Sequence, residues 1–298
     1  MTAATRPTLL VAGASGHFGR RVVELLLDAE AGPIIATTRT PEKIADLAAK
    51  GVDVRKADFT APASLPAAFK GADRMLLISG VDLATRLGQH KAAIAAATAA
   101  GVRHIVYTSA PAARPDPENP LIDSHYWTEQ ALAASPLGWT VLRNNIYAEM
   151  TLMGLPRAVA TGQLFTATGT GGRSYVTRED AARTAAAALA SDFAGRRILD
   201  VTGPEPVTQD ALAALAAEIT GQKVVHVALS ADDLAKGLAA AGLPPVYVAG
   251  LTAFDVDAAR GYHAIVAPTV KDLTGREPTS VRDFLAANRA ALVPAEAA

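Results

Sequence analysis

Thr8-Leu-Leu-Val-Ala12 runs directly into Gly13-Ala14-Ser15-Gly16-His17-Phe18-Gly19, and Arg20–Asp28 continues as a helical run. Each glycine has its own task in such a strand-to-helix turn. Gly13 permits the tight turn, Gly16 lets the backbone approach a pyrophosphate with no Cβ in the way, and Gly19 lets the helix pack close to the strand. The helix N-terminus then offers unpaired N–H groups and the positive end of a dipole to phosphate oxygens. Glycine spacing alone is a weak signal. A strand before, a helix after and a second strand within about thirty residues give it weight. The competing reading is a structural turn in a sheet that binds no nucleotide.

Working outward, short β-branched runs alternate with longer Ala/Leu-rich ones. Strands are expected at Thr8–Ala12, Ile34–Thr38, Val52–Lys56, Arg74–Ser79, Val102–Thr108 and Trp139–Leu142. Helices are expected at His17–Ala29, Pro41–Lys50, Ser64–Lys70, Ala84–Ala100 and Leu121–Ala134. Pro41 can open a helix, and Gly51, Gly71 and Gly101 can close one. The strands are nearly all apolar, as strands covered on both faces should be. This alternation predicts an α/β protein, a Rossmann-type doubly wound parallel sheet with helices on both faces.

Beyond Asn145 the rhythm loosens. The sequence predicts a helix near Met150–Ala160, a strand Gln163–Ala167 and a turn at Gly169-Thr170-Gly171-Gly172. A helix Arg178–Ala190, a strand Arg197–Val201, a helix capped by Thr208, a strand Val224–Val227, a break at Leu243-Pro244-Pro245 and a final helix near Val281–Leu292 follow. The expected division is a nucleotide-binding domain over residues 1–145 and a smaller α/β substrate lobe over 146–298. Parts of that lobe are expected to pack back onto the first domain.

Composition excludes several classes. The chain has 298 residues, half of them hydrophobic, and a formal charge of −1. No basic surplus exists to neutralise nucleic-acid phosphates. There are no cysteines, so disulfides, thiolate metal sites and a cysteine nucleophile are all ruled out. The six histidines lack metal-ligand spacing, and no metal is expected. No secretory pattern or membrane span is read, so a cytoplasmic protein is expected, with a homodimer as one possible assembly.

The end of the second strand bears on the nucleotide. NAD-preferring folds place an Asp or Glu there to accept from the ribose 2′-OH. This chain reads Ala36-Thr37-Thr38-Arg39, with Lys43 four residues on. A guanidinium at Arg39 can grip a 2′-phosphate with a planar fork of donors, so the cofactor expected is NADPH. The alternative is a solvated loop charge.

With these residues placed, the chain resembles the NmrA-like branch of atypical short-chain dehydrogenases. It looks most like the type-2 NAD(P)H:quinone oxidoreductases, with triphenylmethane reductase as a near relative. The likeness rests on Gly13–Gly19, Thr38-Arg39-Thr-Pro-Glu-Lys43, Lys56-Ala-Asp58-Phe59, Leu77-Ile78-Ser79, Gln89-His90, Tyr107-Thr108-Ser109, Leu142-Arg143-Asn144 and Thr177-Arg178-x-Asp180. The resemblance implies cofactor contacts from Gly13, Ala14, Ser15, Gly16, His17 and Phe18, from Arg39, and from Ser79 and Gly80 beside the ribose. It implies a nicotinamide-lining segment at Asn144, Asn145, Ile146 and Tyr147, and a further contact near Tyr175. Asp58 and Phe59 fall where related proteins flank the adenine, although strand-end packing explains them nearly as well.

Ordinary short-chain dehydrogenases carry a Tyr four residues before a Lys on the helix after the fifth strand. The Lys lowers the phenol pKa, so the Tyr can protonate a nascent alkoxide. Here Tyr126 is followed by Gln130. A phenol near its reference pKa of about 10 is a poor acid–base at neutral pH. The resemblance points to His125 as a second candidate, as proton donor or as pocket hydrogen bonder. The missing Lys favours acceptors that take hydride without a tuned acid, such as a quinone or another conjugated acceptor. An imine, enone or dye-type acceptor is an alternative. So is a catalytically silent NADP-sensing protein, since the NmrA-like branch contains both kinds.

Overall fold

A computed structural model describes residues 6–293. Leu9–Ala12 (β1) is buried along its whole length, so the strand must be covered on both faces. It pairs in parallel with Ile34–Thr38 (β2), which pairs in parallel with Asp53–Lys56 (β3). On its other side β1 pairs with Arg74–Leu77 (β4), followed by His104–Ser109 (β5) and Gly138–Asn144 (β6), again all parallel. Strand Arg196–Val201 completes a seven-stranded sheet of order β3-β2-β1-β4-β5-β6 and then that strand. The order turns back between β1 and β4, the switch point at which doubly wound sheets open a crevice beyond their strand ends.

The connecting helices are His17–Asp28 (α1), Ala45–Ala49 (α2), Leu65–Phe69 (α3), Arg86–Ala99 (α4) and Pro120–Ala134 (α5). Two local expectations are corrected. Pro41–Lys50 is not one helix: a 3₁₀ turn over Pro41–Ile44 precedes the short α2. Asp53-Val-Arg-Lys56 is no apolar strand, and its end residues are exposed, because β3 lies at the sheet edge, where charge is tolerated and discourages further pairing.

The chain forms two compact units and crosses between them several times. The first comprises residues up to Pro115, Leu121–Arg143 and Ala181–Leu199. Its core gathers Leu10, Ile35, Leu65, Phe69, Met75, Leu77, Ile105, Tyr107, Leu132 and Val141. Arg74, at the start of β4, is buried and donates to the carbonyls of Ala188 (3.2 Å), Leu189 (2.7 Å) and Phe193 (2.9 Å). It thereby satisfies carbonyls left open at the end of helix Arg178–Ala190. Burial lowers its pKa to about 10.

The second unit comprises Asp116–Pro120, Asn144–Asp180 and the chain from Asp200 onward. Strand Gln163–Thr166 pairs in parallel with Val225–Ala228, and Gly172–Arg173 pairs antiparallel with Val207–Thr208. Thr208 caps helix Gln209–Thr220 as expected, its hydroxyl accepting from the Ala211 N–H. Two helices not anticipated, Ala231–Ala240 and Pro245–Ala259, flank the Pro-Pro break. Asp255 on the second of these pairs with Arg173 and accepts the Ala167 N–H. Among the described residues, no helix is long and apolar enough to cross a membrane.

Candidate active site

The three glycines of the first turn separate by cause. Gly13 adopts φ +78°, the left-handed region that favours glycine. At Gly19 a Cβ would lie 2.5 Å from the Gly13 carbonyl oxygen and 3.0 Å from the Ala14 Cα, so the close packing of α1 on the loop requires glycine. At Gly16 a Cβ would meet only the Gly13 oxygen at 3.5 Å, an ordinary contact, and φ is −79°. The protein itself therefore does not require glycine at position 16. A phosphate approaching the exposed backbone does require it. No side-chain hydrogen bond caps α1 at Gly16, and its first turn holds no acidic residue, so the start of the helix suits an anion.

The loop is held at both ends. The Gly13 and Ala14 N–H groups donate to the Thr37 carbonyl at 2.9 and 3.0 Å. The Thr38 hydroxyl donates to Ser15 Oγ at 2.7 Å, linking the turn to the end of β2. Ala14 is buried, whereas Ser15, Gly16 and His17 are exposed and Phe18 is half-buried. Arg39 follows Thr38, exposed to solvent, and its charge helps hold the nearby Asp58 carboxyl below its ordinary range, after the larger effect of hydrogen bonds from Thr60.

Beyond β4 the backbone at Ser79 and Gly80 is fixed by side chains. The Ser79 N–H donates to Thr108 Oγ1 at 2.9 Å, and the Gly80 N–H donates to His90 Nε2 at 3.2 Å. Arg86 Nε donates to the Gly80 carbonyl at 2.6 Å. Arg86 and His90 are both buried, and burial depresses the pKa of each, His90 to about 3.

On α5 the two proton-donor candidates part company. His125 is only 5% exposed, and its Nδ1 lies 2.7 Å from the Tyr107 hydroxyl. Burial, with the charge of Arg86 second, holds its pKa well below the ordinary value. It is a neutral interior residue, not an open proton donor. Tyr126 is half-buried, with its ring edge-on to Trp127 at 5.1 Å, and Gln130 at the usual Lys position is exposed. Glu129 is buried, accepts from Ser109 Oγ at 2.7 Å and is gripped at both oxygens by Arg143. The end of β5 is thus committed to an ion pair.

In the second unit, Asn144 is buried and donates from Nδ2 to the Tyr147 hydroxyl at 3.0 Å, while among the described residues its Oδ1 has no partner. An unpaired buried amide oxygen is costly and marks a place where a ligand donor would be welcome. Asn145 accepts the Ile146 N–H and donates to the His263 carbonyl, which fixes the segment. Burial pushes the Tyr147 phenol up to about 12, and Arg178 lies over its ring. Tyr175 is buried, and its hydroxyl accepts from Gln209 Nε2 at 3.0 Å. The glycines at 169–172 form no second cradle: a Cβ at Gly171 would collide with the Ala258 carbonyl. Among the described residues, no group of three or more acidic or imidazole side chains could hold a metal.

The model of a family described as NAD(P)H-binding matches residues 13–192. The chain belongs to this NAD(P)H-binding family. It is also 35% identical to quinone oxidoreductase 2 of Escherichia coli, over 92% of this chain and 96% of that protein. It is 28% identical to an NAD(P)H azoreductase of Xenophilus azovorans, over 95% and 98%. Among solved structures, the NADPH-dependent quinone oxidoreductase of E. coli complexed with NADPH matches with a TM-score of 0.90 and 34% identity, covering 94% of this chain and 99% of that one. The triphenylmethane reductase of Citrobacter sp. matches at 0.85 and 32%, covering 96% and 99%. This member of the family is an NAD(P)H-dependent oxidoreductase. The sequence points to the glycine loop and to Arg39, and places His90 only within a stretch that carries the family likeness. It gives no role to Arg86, Thr108 or the Glu129–Arg143 pair; the signal for Arg86, Glu129 and Arg143 is a charged residue within a largely apolar element.

Proposed function

We propose that this oxidoreductase prefers NADPH and delivers its hydride to a quinone or a similar conjugated small-molecule acceptor. The observation that carries the cofactor preference is Arg39, an exposed cation standing where NAD-preferring folds carry a carboxylate. In this reading the turn over Gly13–Phe18 cradles the pyrophosphate at the start of α1, and Arg39 binds the 2′-phosphate. Ser79 and Gly80 flank the ribose, and Asn144–Tyr147 lines the nicotinamide end, where Asn144 Oδ1 gains the partner it lacks. When bound, NADPH supplies the hydride.

The acceptor class follows from what the α5 helix does not offer. Gln130 cannot lower a phenol pKa, and His125 is neutral and enclosed. An aliphatic ketone would become a strongly basic alkoxide and need an acid at hand. A quinone becomes a delocalised phenolate-like anion that water can protonate, so positioning carries most of the rate. Tyr126 then acts as an aromatic wall. The names of the relatives, a quinone oxidoreductase, an azoreductase and a dye reductase, agree with acceptors of this kind. The reading keeps the expectation of a cytoplasmic protein. Steady-state NADPH oxidation with a panel of quinones, azo and triphenylmethane dyes, and aliphatic ketones tests it. Oxidation should depend on the conjugated acceptors, and a preference for the ketones would contradict it.

A further inference from the structure

Two side chains one helical turn apart on α4 reach the same peptide from opposite sides. Arg86 Nε donates to the Gly80 carbonyl at 2.6 Å, and His90 Nε2 accepts the Gly80 N–H at 3.2 Å. Each is anchored in turn to α5, again by residues one turn apart. Arg86 Nη1 donates to Ser124 Oγ at 3.2 Å, and Ser124 Oγ donates to the Leu121 carbonyl at 3.0 Å. His90 Nδ1 lies 3.0 Å from Thr128 Oγ1, which donates to the Ser124 carbonyl at 2.8 Å.

The direction of every bond is forced. A peptide N–H can only donate, so His90 Nε2 is the bare nitrogen and Nδ1 carries the proton. Thr128 has spent its own proton on Ser124, so its oxygen accepts from Nδ1. The Gly80 peptide cannot rotate without breaking bonds on both sides. The arrangement is also expensive, because Arg86 is 5% exposed and, among the described residues, forms no ion pair. Asp82 acts on it electrostatically without forming an ion pair, and burying a charge without a direct ion-pair partner costs free energy. Helix packing alone does not call for a guanidinium and an imidazole there.

We propose that Arg86 and His90 are positioning residues of the cofactor site, a two-sided clamp that holds the Ser79–Gly80 backbone in one orientation. The proposal rests on the reading of Ser79 and Gly80 as the ribose-side loop. Neither residue touches the cofactor; both act through the Gly80 peptide. Gln at position 90 places its Oε1 where Nε2 stands and keeps an acceptor for the Gly80 N–H, whereas Leu keeps the bulk and removes the acceptor.

The test combines two measurements on the whole protein. Nitrogen-15 NMR of the histidines should show His90 as the Nδ1–H tautomer with its bare Nε2 coupled to the Gly80 amide; an Nε2–H tautomer overturns the clamp. Calorimetric titration with NADPH should show His90→Leu and Arg86→Met binding about tenfold or more weakly, with His90→Gln restoring most of the loss. The loss should appear in KM for NADPH more than in kcat. Thr128→Val, which removes only the acceptor for Nδ1–H, should give a smaller loss and serves if the stronger variants do not fold. Folded variants that bind NADPH like the parent protein overturn the proposal. A parent protein that binds no NADPH overturns the functional reading itself, a result distinct from normal binding by both parent and variants.

Discussion

The Tyr107 hydroxyl and His125 Nδ1 lie 2.7 Å apart in the interior of the first unit. Burial raises the Tyr107 pKa and lowers that of His125, so a protonated phenol and a neutral imidazole share this hydrogen bond. A pair locked this way supports the helix and does not turn over protons. His125→Ala should therefore leave the pH profile of hydride transfer unchanged while costing about 1–3 kcal/mol of stability, from an orphaned buried phenol and a cavity. Urea denaturation and a pH–rate profile check the two halves of this statement.

Tyr126→Phe keeps the ring and removes the only open phenol on α5. Most of kcat should survive, measured with a quinone under single-turnover conditions so that slow product release does not mask chemistry. Loss of a true general acid costs about 10²–10⁴-fold, and a fall of that size would restore Tyr126 as the proton donor.

Gly16 and Gly19 should fail differently. Gly19→Val forces a branched side chain against the Gly13 backbone, where even a Cβ would sit at 2.5 Å, and should destabilise or unfold the protein. Gly16→Val should fold normally and lose NADPH, because the space that it fills belongs to the ligand. Thermal unfolding and calorimetric titration distinguish the two outcomes.

Buried neutral histidines make the fold acid-labile. Burial lowers the pKa of His90 to about 3 and of His104 to about 4, against an ordinary value of 6.5. The unfolded chain takes up these protons first as the pH falls. The stabilisation is thus complete above about pH 6.5 and is lost below it, down to about pH 4 for His104 and about pH 3 for His90, at roughly 1.4 kcal/mol per pH unit for each histidine. His125 adds in the same direction. Urea midpoints across that range should fall steeply, and a flat profile would show that the imidazoles are not buried neutral.

The parts of the fold legible in the sequence are those fixed locally. β1 and β2 announce themselves as unbroken apolar runs, and the glycine turn carries its own backbone chemistry. Helix Arg178–Ala190 was anticipated to the residue. Helix Pro245–Ala259 was not, because Val246, Tyr247 and Leu251 are exposed and no apolar stripe marks a buried face. Pro244-Pro245 reads as a break, yet Pro245 opens the helix, which its fixed φ permits. The Gly80 clamp was hidden for another reason: Ser124 and Thr128 each lie 38 residues from the side chains that they anchor. Only the folded sheet brings α4 and α5 together.

Arg39→Ala should weaken NADPH by about ten- to a hundredfold, from loss of a charge-assisted pair of about 1.5–3 kcal/mol, and leave NADH nearly unchanged. Equal losses for both cofactors would make Arg39 structural.

Hydride should pass from NADPH to a conjugated acceptor at a rate limited by positioning and not by a side-chain acid. Single-turnover oxidation of NADPH carrying deuterium at the transferred position, with a quinone as acceptor, tests it most directly. A primary isotope effect is expected, on a rate that changes little across neutral pH. Quinone-independent oxidation, or a rate that titrates with a single protein group near neutrality, would contradict it.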